Sequence, residues 1–223
     1  SEMCIRDRCS RRDADKLIEQ GKVLVNGQVA GMGQQVEETD TVQVGKKILQ
    51  GKQTQKVLAF YKPVGVTCTE RDPHAEKKIM DMIRYPERLT YAGRLDKDSE
   101  GLILLTNDGD LINAMMRGAN RHEKEYIVKT DREITPDFLE KMAKGIYLKD
   151  LDITTRECEI EQIGKFTFRI VLTQGVNRQI RRMCEACGYR VKALKRIRIM
   201  NILLGDLKPG KWRELSLIHI SEP

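Results

Sequence analysis

The amino-terminal segment carries apolar residues at helical spacing. Ser10 is suited to cap a helix that continues to Gln20, and Ala14, Leu17 and Ile18 fall on one side of it. A glycine follows directly, in the position where helices commonly end in a left-handed conformation. The pattern predicts a short amphipathic helix at this end of the chain.

A strand pattern follows this helix. Residues 23–29 are apolar on both sides of Asn26-Gly27, a pair that favours a tight hairpin turn. Another strand is predicted over residues 41–44. Apolar periodicity then lapses over residues 45–56, where Gly, Lys and Gln dominate. We therefore expect a small amino-terminal domain followed by a larger one.

The larger part mixes strand and helix patterns. The predicted strands cover residues 57–61, 102–106, 126–130, 154–163, 166–173 and 191–202. The predicted helices cover residues 77–83, 110–116, 136–143 and 177–186. Since strands and helices do not alternate in regular crossover units, their order favours an α+β fold over a doubly wound α/β fold.

Composition adds a charge and a compartment to this picture. The 223 residues include 40 basic and 33 acidic side chains, a formal charge of +7. This excess favours a polyanionic partner, nucleic acid first and an anionic membrane surface second. No apolar run approaches the roughly 20 residues that span a bilayer, and the opening residues lack the apolar stretch of a signal peptide. With six scattered cysteines that fit free thiols, we expect a cytoplasmic protein.

A polar loop between glycines is the first candidate for chemistry. Residues 93–101 read GRLDKDSEG and precede a strand apolar enough to be buried on both faces. Loops anchored on a rigid core commonly carry reactive groups, so Asp96 is a candidate nucleophile or acid–base catalyst. Taken alone, the local pattern favours an ordinary carboxylate, because Asp is common in turns.

The predicted helix over residues 177–186 has one apolar and one basic face. Ile180, Met183 and Cys184 lie at helical spacing with Cys187, so the CxxC pair points into the core and does not fit a zinc or redox site. Basic residues continue beyond this helix with a single acid among them, which favours phosphate recognition over a solvated face. They are Arg178, Arg181, Arg182, Arg190, Lys192, Lys195, Arg196 and Arg198.

An aromatic residue and the histidines complete the candidates. Tyr126 stands at the start of a predicted strand, where an aromatic ring can stack on a base but more often packs in a core. The three histidines are too few and too dispersed for a His-based triad or a zinc site. We therefore predict no metal site.

Four segments, in order along the chain, resemble the bacterial pseudouridine synthases of the RsuA/RluB/RluE/RluF family. They are Lys62-Pro63-Val64-Gly65, the Asp96 loop with Thr106-Asn107-Asp108-Gly109, Lys124-Glu125-Tyr126, and Gly175 through Met183. The resemblance extends from Ser10 to Leu215. It is closest to the RluF type, which acts on large-subunit (23S) rRNA, with the RluB type as the near alternative. It implies a mainly antiparallel catalytic sheet and isomerisation of uridine to pseudouridine without a cofactor.

The resemblance also implies roles for individual residues. Asp96 matches the catalytic aspartate, Tyr126 the tyrosine that packs on the target base, and Arg181 the arginine that ion-pairs with the aspartate. The matching substrate-pocket residues are Arg94, Leu95 and Leu194. RNA contacts are expected from Arg178, Arg182, Arg196 and Arg198.

The amino-terminal part resembles the small RNA-binding domain named after ribosomal protein S-four. Residues 9–15 and 21–27 carry its pattern, and the resemblance implies phosphate contacts from Arg11, Arg12 and Lys16. Such domains normally begin with a further helix where this sequence has residues 1–8, so we expect a partial, truncated domain.

The domain boundaries follow from these resemblances. We expect the RNA-binding domain over residues 1–50 and the catalytic domain over residues 51–215. Residues 1–8 and 216–223 resemble translated sequencing-adaptor read-through and are expected to be spurious.

Ribosomal RNA is the expected partner, with no membrane and a monomeric chain. The alternative function is a non-catalytic RNA-binding or ribosome-assembly factor on the same fold. Asp96, Tyr126 and Arg181 together argue against it, because a pure binder has no need of all three. A metal or redox enzyme that uses Cys184 and Cys187 ranks third.

Overall fold

The chain folds into two compact units, a smaller one before Lys56 that also includes Pro86–Arg88, and a larger one formed from Lys56 onward. The structure is a computed structural model, and it describes residues 11–37, 39–49, 54–69, 76–116 and 121–216. The predicted cap at Ser10, the predicted spurious segment 1–8 and all but the first residue of the predicted spurious segment 216–223 lie outside these residues.

The first unit packs one helix on a small antiparallel sheet. Helix α1 spans Arg11–Glu19, and its buried Ala14 and Ile18 share a core with Val23 and Val42. The strands are β1 (Val23–Val25), β2 (Gln28–Val29), β3 (Val42–Val44) and β4 (Lys47–Leu49). They pair in the order β2-β1-β3-β4. The predicted helix and hairpin are present, whereas β4 lies where apolar periodicity lapses.

The hairpin turn depends on two left-handed residues. Asn26 has φ 51° and Gly27 has φ 81°, as the Asn-Gly pair predicts for a turn of this kind. The Asn26 side chain also donates to Asp40 over 2.7 Å and accepts from the backbone N–H of Thr41 over 2.9 Å. These bonds fix the hairpin against the start of β3.

The second unit is built on a large mixed sheet. Its strands are β5 (Val57–Lys62), β6 (Thr90–Ala92), β7 (Glu100–Thr106), β8 (Lys124–Thr130), β11 (Glu159–Gly164), β12 (Thr167–Leu172), β13 (Val191–Ile199), β14 (Ile202–Leu203) and β15 (Trp212–Leu215). The main order is β11-β12-β8-β13-β7-β5-β15, while β14 pairs with β13 and β6 with β7. A separate hairpin joins β9 (Tyr147–Leu148) to β10 (Ile153–Thr154).

The predicted α+β class with a mainly antiparallel sheet is confirmed. Among the described strands of the large sheet, β7 and β13 pair in parallel and the other pairs are antiparallel. This parallel pair lies in the centre of the sheet and carries the strand that follows the Asp96 loop. The apolar run that forms it, Leu102 to Leu105, is fully buried, as the sequence predicts.

Within the described residues the second unit has three α-helices, α2 (Gly109–Met116), α3 (Pro136–Lys144) and α4 (Gln179–Ala186). Helices α3 and α4 cover the face of the sheet that carries Tyr126. The Thr135 side chain caps α3 by accepting from the Phe138 N–H over 3.2 Å. Helices α3 and α4 share one core with β8 and β12. Cys184 belongs to this core, and burial raises the pKa of its thiol to about 12.

Two predicted elements differ from the structure. Residues 77–83 do not form an α-helix but a short 3-10 helix over Ile79–Met82, which satisfies fewer backbone groups. Residues 154–163 do not form one strand, because Ile153–Thr154 pairs with β9 and Glu159–Gly164 pairs with β12 in the large sheet. Between them Thr155 is buried and its hydroxyl accepts from the Ile146 N–H, which keeps this stretch out of either sheet.

Candidate active site

A cavity of about 590 Å³ lies in the second unit, between the Asp96 loop, strand β8 and the segment that leads into α4. It falls within the volume range of small-molecule sites. Its lining includes every residue predicted for catalysis and for the substrate pocket: Arg94, Leu95, Asp96, Tyr126, Arg181 and Leu194. Arg178 and Arg196 line it as well. The fold thus gathers segments that are far apart in sequence around one carboxylate.

The backbone of the Asp96 loop is held at every residue from 94 to 99. Each of these six carbonyl oxygens accepts a hydrogen bond. The donors, in order, are Arg196 Nη1 (3.4 Å), Cys68 Sγ (3.3 Å), the Ser99 N–H (3.1 Å), the Gly65 N–H (2.7 Å), Arg181 Nη2 (2.9 Å) and Lys62 Nζ (2.6 Å). Most of these donors belong to other elements, so the loop is fixed before any substrate arrives.

Lys62 is the innermost of these donors. Its side chain is fully buried at the end of β5, and Nζ also donates to the Pro63 carbonyl over 2.8 Å. Burial lowers the pKa of Lys62 to about 8, although the Asp96 and Asp98 charges act in the opposite direction. A buried lysine is retained here because carbonyl oxygens satisfy its ammonium.

Asp96 itself remains accessible from the cavity. Its side chain is 33% exposed, and Arg178 Nη1 lies 3.6 Å from its Oδ2. Arg178 precedes α4 with a left-handed backbone (φ 53°), an uncommon conformation for a residue with a side chain. The same guanidinium donates to both oxygens of Asp98 at 3.2 and 3.3 Å. Arg178 therefore links two carboxylates of the loop.

The pairing expected between Arg181 and Asp96 is replaced by another. Arg181 Nη2 donates to the Asp98 carbonyl and to Ser99 Oγ over 3.0 Å, and it lies 3.4 Å from the Asp98 carboxylate. These three acceptors hold the guanidinium against the turn after Asp96. Burial alone would raise the pKa of Asp98, but Arg178 and Arg181 hold it below its ordinary value. Arg178 thus makes the contact with Asp96 that was expected of Arg181.

The sheet supplies the floor of the cavity. Tyr126 is buried and lies opposite Arg196 in the β8–β13 register, with Ile170 of β12 on its other side. Directly paired residues of neighbouring strands share one face, so these side chains lie next to each other. Leu194 is 6% exposed and precedes Arg196 by two positions on the same face.

Two arginines predicted to contact RNA are engaged with acidic residues. Arg198 Nε donates to Glu125 over 2.5 Å, and its Nη1 donates to Glu123 over 2.9 Å. Arg182 pairs with Asp150 and donates to the Asn177 carbonyl. These contacts stabilise neighbouring elements. The expected RNA contacts of these two arginines stay predictions.

The basic residues predicted in the first unit lie on helix α1. Arg12 and Lys16 are exposed and one turn apart, so they share a face opposite the buried Ala14 and Ile18. The side chain of Arg11 lies outside the described part. An exposed cationic pair of this kind is suited to a phosphate backbone.

Across the described ranges, no group of three or more His, Cys, Asp or Glu side chains is arranged to hold a metal ion. Within those ranges, no helix has both the length and the apolar character that crossing a bilayer requires.

Sequence reasoning assigned no role to several residues of the site. Lys62 and Lys124 stand in segments that carry the family resemblance, yet their burial and contacts depend on strands far away in sequence. Ser99 is 1% exposed and accepts from Arg181. In the sequence, the alternation of basic and acidic residues around Ser99 is the feature that points to it.

Comparisons with known proteins agree with this geometry. Residues 56–186 match the family described as RNA pseudouridylate synthase, and residues 8–42 match the S4 domain. A solved structure of a pseudouridylate synthase superposes with a TM-score of 0.72 at 26% identity, covering 98% of this chain and 95% of the other.

Curated relatives match this chain over most of its length. The dual-specificity RNA pseudouridine synthase RluF of Escherichia coli (strain K12) is 45% identical over 210 residues, which cover 93% of this chain and 71% of the relative. Ribosomal large subunit pseudouridine synthase B of Vibrio cholerae is 34% identical and covers 95% of this chain and 69% of the relative.

Proposed function

This chain belongs to the RNA pseudouridylate synthase family, and from that premise we propose that it isomerises a uridine of large-subunit ribosomal RNA, with Asp96 as the catalytic carboxylate. The single observation that carries the assignment is the position of Asp96. Its carboxylate opens into the cavity while hydrogen bonds hold the backbone on both sides of it.

The reaction requires a base to leave the ribose and return by another atom. Asp96 either forms a bond to the anomeric carbon or removes a ribose proton to give a glycal. Either way the bond to uracil N1 breaks and the base turns. Its carbon 5 then bonds to the anomeric carbon as the Asp96 ester bond breaks or as the glycal takes its ribose proton back. Carbon 5 finally loses its proton while N1 gains one. Substrate and product contain the same atoms, so the reaction itself demands no cofactor.

The residues around Asp96 have separate roles in orienting the carboxylate, packing on the target base and lining the cavity. Arg178 lies 3.6 Å from Asp96 and is placed to orient its carboxylate in the cavity. Tyr126 presents its ring from the floor of the cavity and is suited to pack against the target base. Leu95 and Leu194 supply apolar walls, and Arg94 stands exposed at the edge of the loop.

Binding of the RNA is assigned to both units. Exposed Arg12 and Lys16 on α1 contact phosphates, as does Arg178 beside the cavity. Extraction of the target uridine from its stack costs a few kcal/mol, about what several phosphate contacts can offset. We propose a monomer that acts in the cytoplasm.

The test is pseudouridine mapping by carbodiimide modification and primer extension. Ribosomal RNA would come from a strain that lacks its own large-subunit synthases and expresses this chain or its Asp96→Ala variant. We expect a new stop at one large-subunit uridine that disappears in the variant. A soluble chain that binds ribosomal RNA yet produces no stop would contradict the assignment and favour a non-catalytic ribosome-assembly factor.

A further inference from the structure

Two basic side chains lie on either side of Tyr126 on the cavity floor. Lys124 precedes Tyr126 by two positions in β8, so it points to the same face of the sheet. Arg196 lies directly opposite Tyr126 on β13. Both side chains line the cavity, and we refer to Lys124 and Arg196 as the cationic pair.

Backbone carbonyls are the hydrogen-bond acceptors of the cationic pair. Among the residues that the structure describes, neither side chain forms an ion pair with an acid. Lys124 Nζ donates to the His122 carbonyl over 3.2 Å. Arg196 is 3% exposed and donates to two backbone carbonyls, Nε to Leu102 over 2.7 Å and Nη1 to Arg94 over 3.4 Å.

The third nitrogen of Arg196 has no such acceptor. Nη2 is buried, and no hydrogen-bond partner for it exists within the described part of the chain. Burial, and after it the charge of Arg196, lowers the pKa of Lys124. A half-buried and a buried positive charge on the same cavity floor are unfavourable unless negative charge enters or develops near them.

The proposed reaction produces negative charge at this place. When the bond between the anomeric carbon and uracil N1 breaks, the electron pair stays on N1 and spreads to the carbonyl oxygens of the base. Asp96 forms the new bond to the anomeric carbon or takes the ribose proton, so both routes leave the base as an anion. The charge is lost when carbon 5 bonds to the anomeric carbon, and the proton of carbon 5 then leaves as N1 takes one up.

We propose that Lys124 and Arg196 stabilise the detached uracil anion while it turns over the ring of Tyr126. This inference rests on the proposed function and adds a role for two residues of the same site. A fixed positive charge beside a site that excludes water lowers the energy of an anion without reorganisation, and direct contact is not required for that effect.

The test compares two leaving groups in single-turnover reactions. The substrate is a large-subunit rRNA fragment with uridine or 5-fluorouridine at the target. In 5-fluorouridine carbon 5 has no proton to release, so its product is the carbon-linked base that has added one water across carbon 6 and N1. Nuclease digestion and mass spectrometry quantify this product and pseudouridine. Fluorine withdraws electrons and stabilises the uracil anion by itself, so the protein's charges matter less. With uridine, we expect Lys124→Met to reduce the rate on the order of 100-fold, the loss typical of removing one such stabilising group. With 5-fluorouridine, we expect a loss below about 10-fold, and no change in RNA affinity on either substrate.

Lys129→Met is the matched control. Lys129 lies exposed on the same strand and outside the cavity lining, so its variant is expected to convert both substrates like the unaltered chain. Arg196→Met is expected to repeat the pattern of Lys124→Met if circular dichroism shows it folded. Lys124→Met decides the question alone, because Lys124 holds no part of the Asp96 loop.

Three results would overturn the inference. An equal loss on both substrates would mean that Lys124 positions the base, and weakened RNA binding at an unchanged rate would mean that it contacts a phosphate. If the unaltered chain converts neither substrate, the proposed function fails together with this inference. If the unaltered chain converts both substrates and Lys124→Met loses the same factor in rate on each, the inference fails while the proposed function stands.

Discussion

At the residue scale, the position of Asp96 depends on its neighbours more than on its own contacts. Within the described residues the carboxylate forms one ion pair, with Arg178, whereas the loop backbone around it is bonded at each carbonyl from residue 94 to residue 99. Preorganisation of this kind lets a catalytic group act without rearranging at the moment of reaction.

The sequence predicts the loop but not its supports. Asp96 is recognisable from GRLDKDSEG and the apolar strand behind it. Its supports come from Lys62, Cys68, Arg181 and Arg196, and no periodicity of the chain relates these residues to the loop. For the same reason the partner of Asp96 was predicted as Arg181, although three acceptors on the turn hold that arginine instead.

Lys62 gives a pH-dependent prediction. Its pKa is about 8 in the folded chain against the ordinary 10.5, so between these values the unfolded chain binds more protons. The Lys62 contribution to the free energy of unfolding therefore rises with pH across this window, by at most about 1.4 kcal/mol per pH unit. Relative to Lys62→Met, the unaltered chain should gain about 2 kcal/mol between about pH 7.5 and about pH 9.5 in urea unfolding.

The comparison with Lys62→Met cancels the titration of other groups. Lys208→Met changes an exposed lysine and should show the same pH profile as the unaltered chain. If the difference in free energy of unfolding between the unaltered chain and Lys62→Met stays constant with pH, the lowered pKa of the buried Lys62 ammonium is contradicted.

At the scale of elements, the parallel pairing of β7 with β13 requires a glycine. Gly101 pairs with Arg196 and has φ 112°. A Cβ atom at Gly101 would lie 2.6 Å from the Arg196 backbone nitrogen and closer still to its carbonyl oxygen. The two strands can approach in this way because no side chain stands between them.

Gly101→Ala is therefore expected to separate the two central strands. We expect a loss of about 3 kcal/mol or more in the free energy of unfolding, since overpacking and backbone strain act together. Chemical denaturation followed by circular dichroism measures it. The control is Gly109→Ala at the start of α2, where nothing lies within 4 Å of the added methyl group. Equal stability of the two variants would contradict the close approach.

The elements also show where pattern reasoning stops. Helices α3 and α4 were predicted within a few residues, because an apolar stripe defines each of them and Thr135 caps α3. Residues 77–83 were also predicted as a helix from their apolar spacing. In the structure Lys78 pairs with Thr67 in an isolated bridge, so only one 3-10 turn follows it. Strand partners depend on long-range contacts that a local pattern does not contain.

At the scale of the whole molecule, the formal charge of +7 and the exposed basic face of α1 predict salt-sensitive RNA binding. The double variant Arg12→Gln/Lys16→Gln should weaken binding of ribosomal RNA and reduce the slope of log affinity against log salt by about 1.5, since each phosphate contact contributes about 0.7 to 0.9. Filter binding over a range of salt concentrations measures both quantities.

The control variant removes the same charge elsewhere. Lys141→Gln/Lys144→Gln changes two exposed lysines of α3 that pair with Asp137 and Glu140 within the helix. We expect this variant to keep the slope of the unaltered chain. Equal slopes for the two double variants would mean that net charge, rather than the face of α1, determines RNA binding.

The central claim is that Asp96 carries the chemistry, and its most direct test is the single-turnover rate of Asp96→Asn. The substrate is a large-subunit rRNA transcript, and the readout is pseudouridine formation at saturating protein. Because the side chain is one-third exposed, we expect unfolding free energy and RNA affinity to stay within about 0.5 kcal/mol. The rate should fall at least about 1,000-fold, as when a catalytic group is removed from other enzymes. A variant that keeps its rate within about 10-fold would contradict the assignment of Asp96 as the catalytic carboxylate.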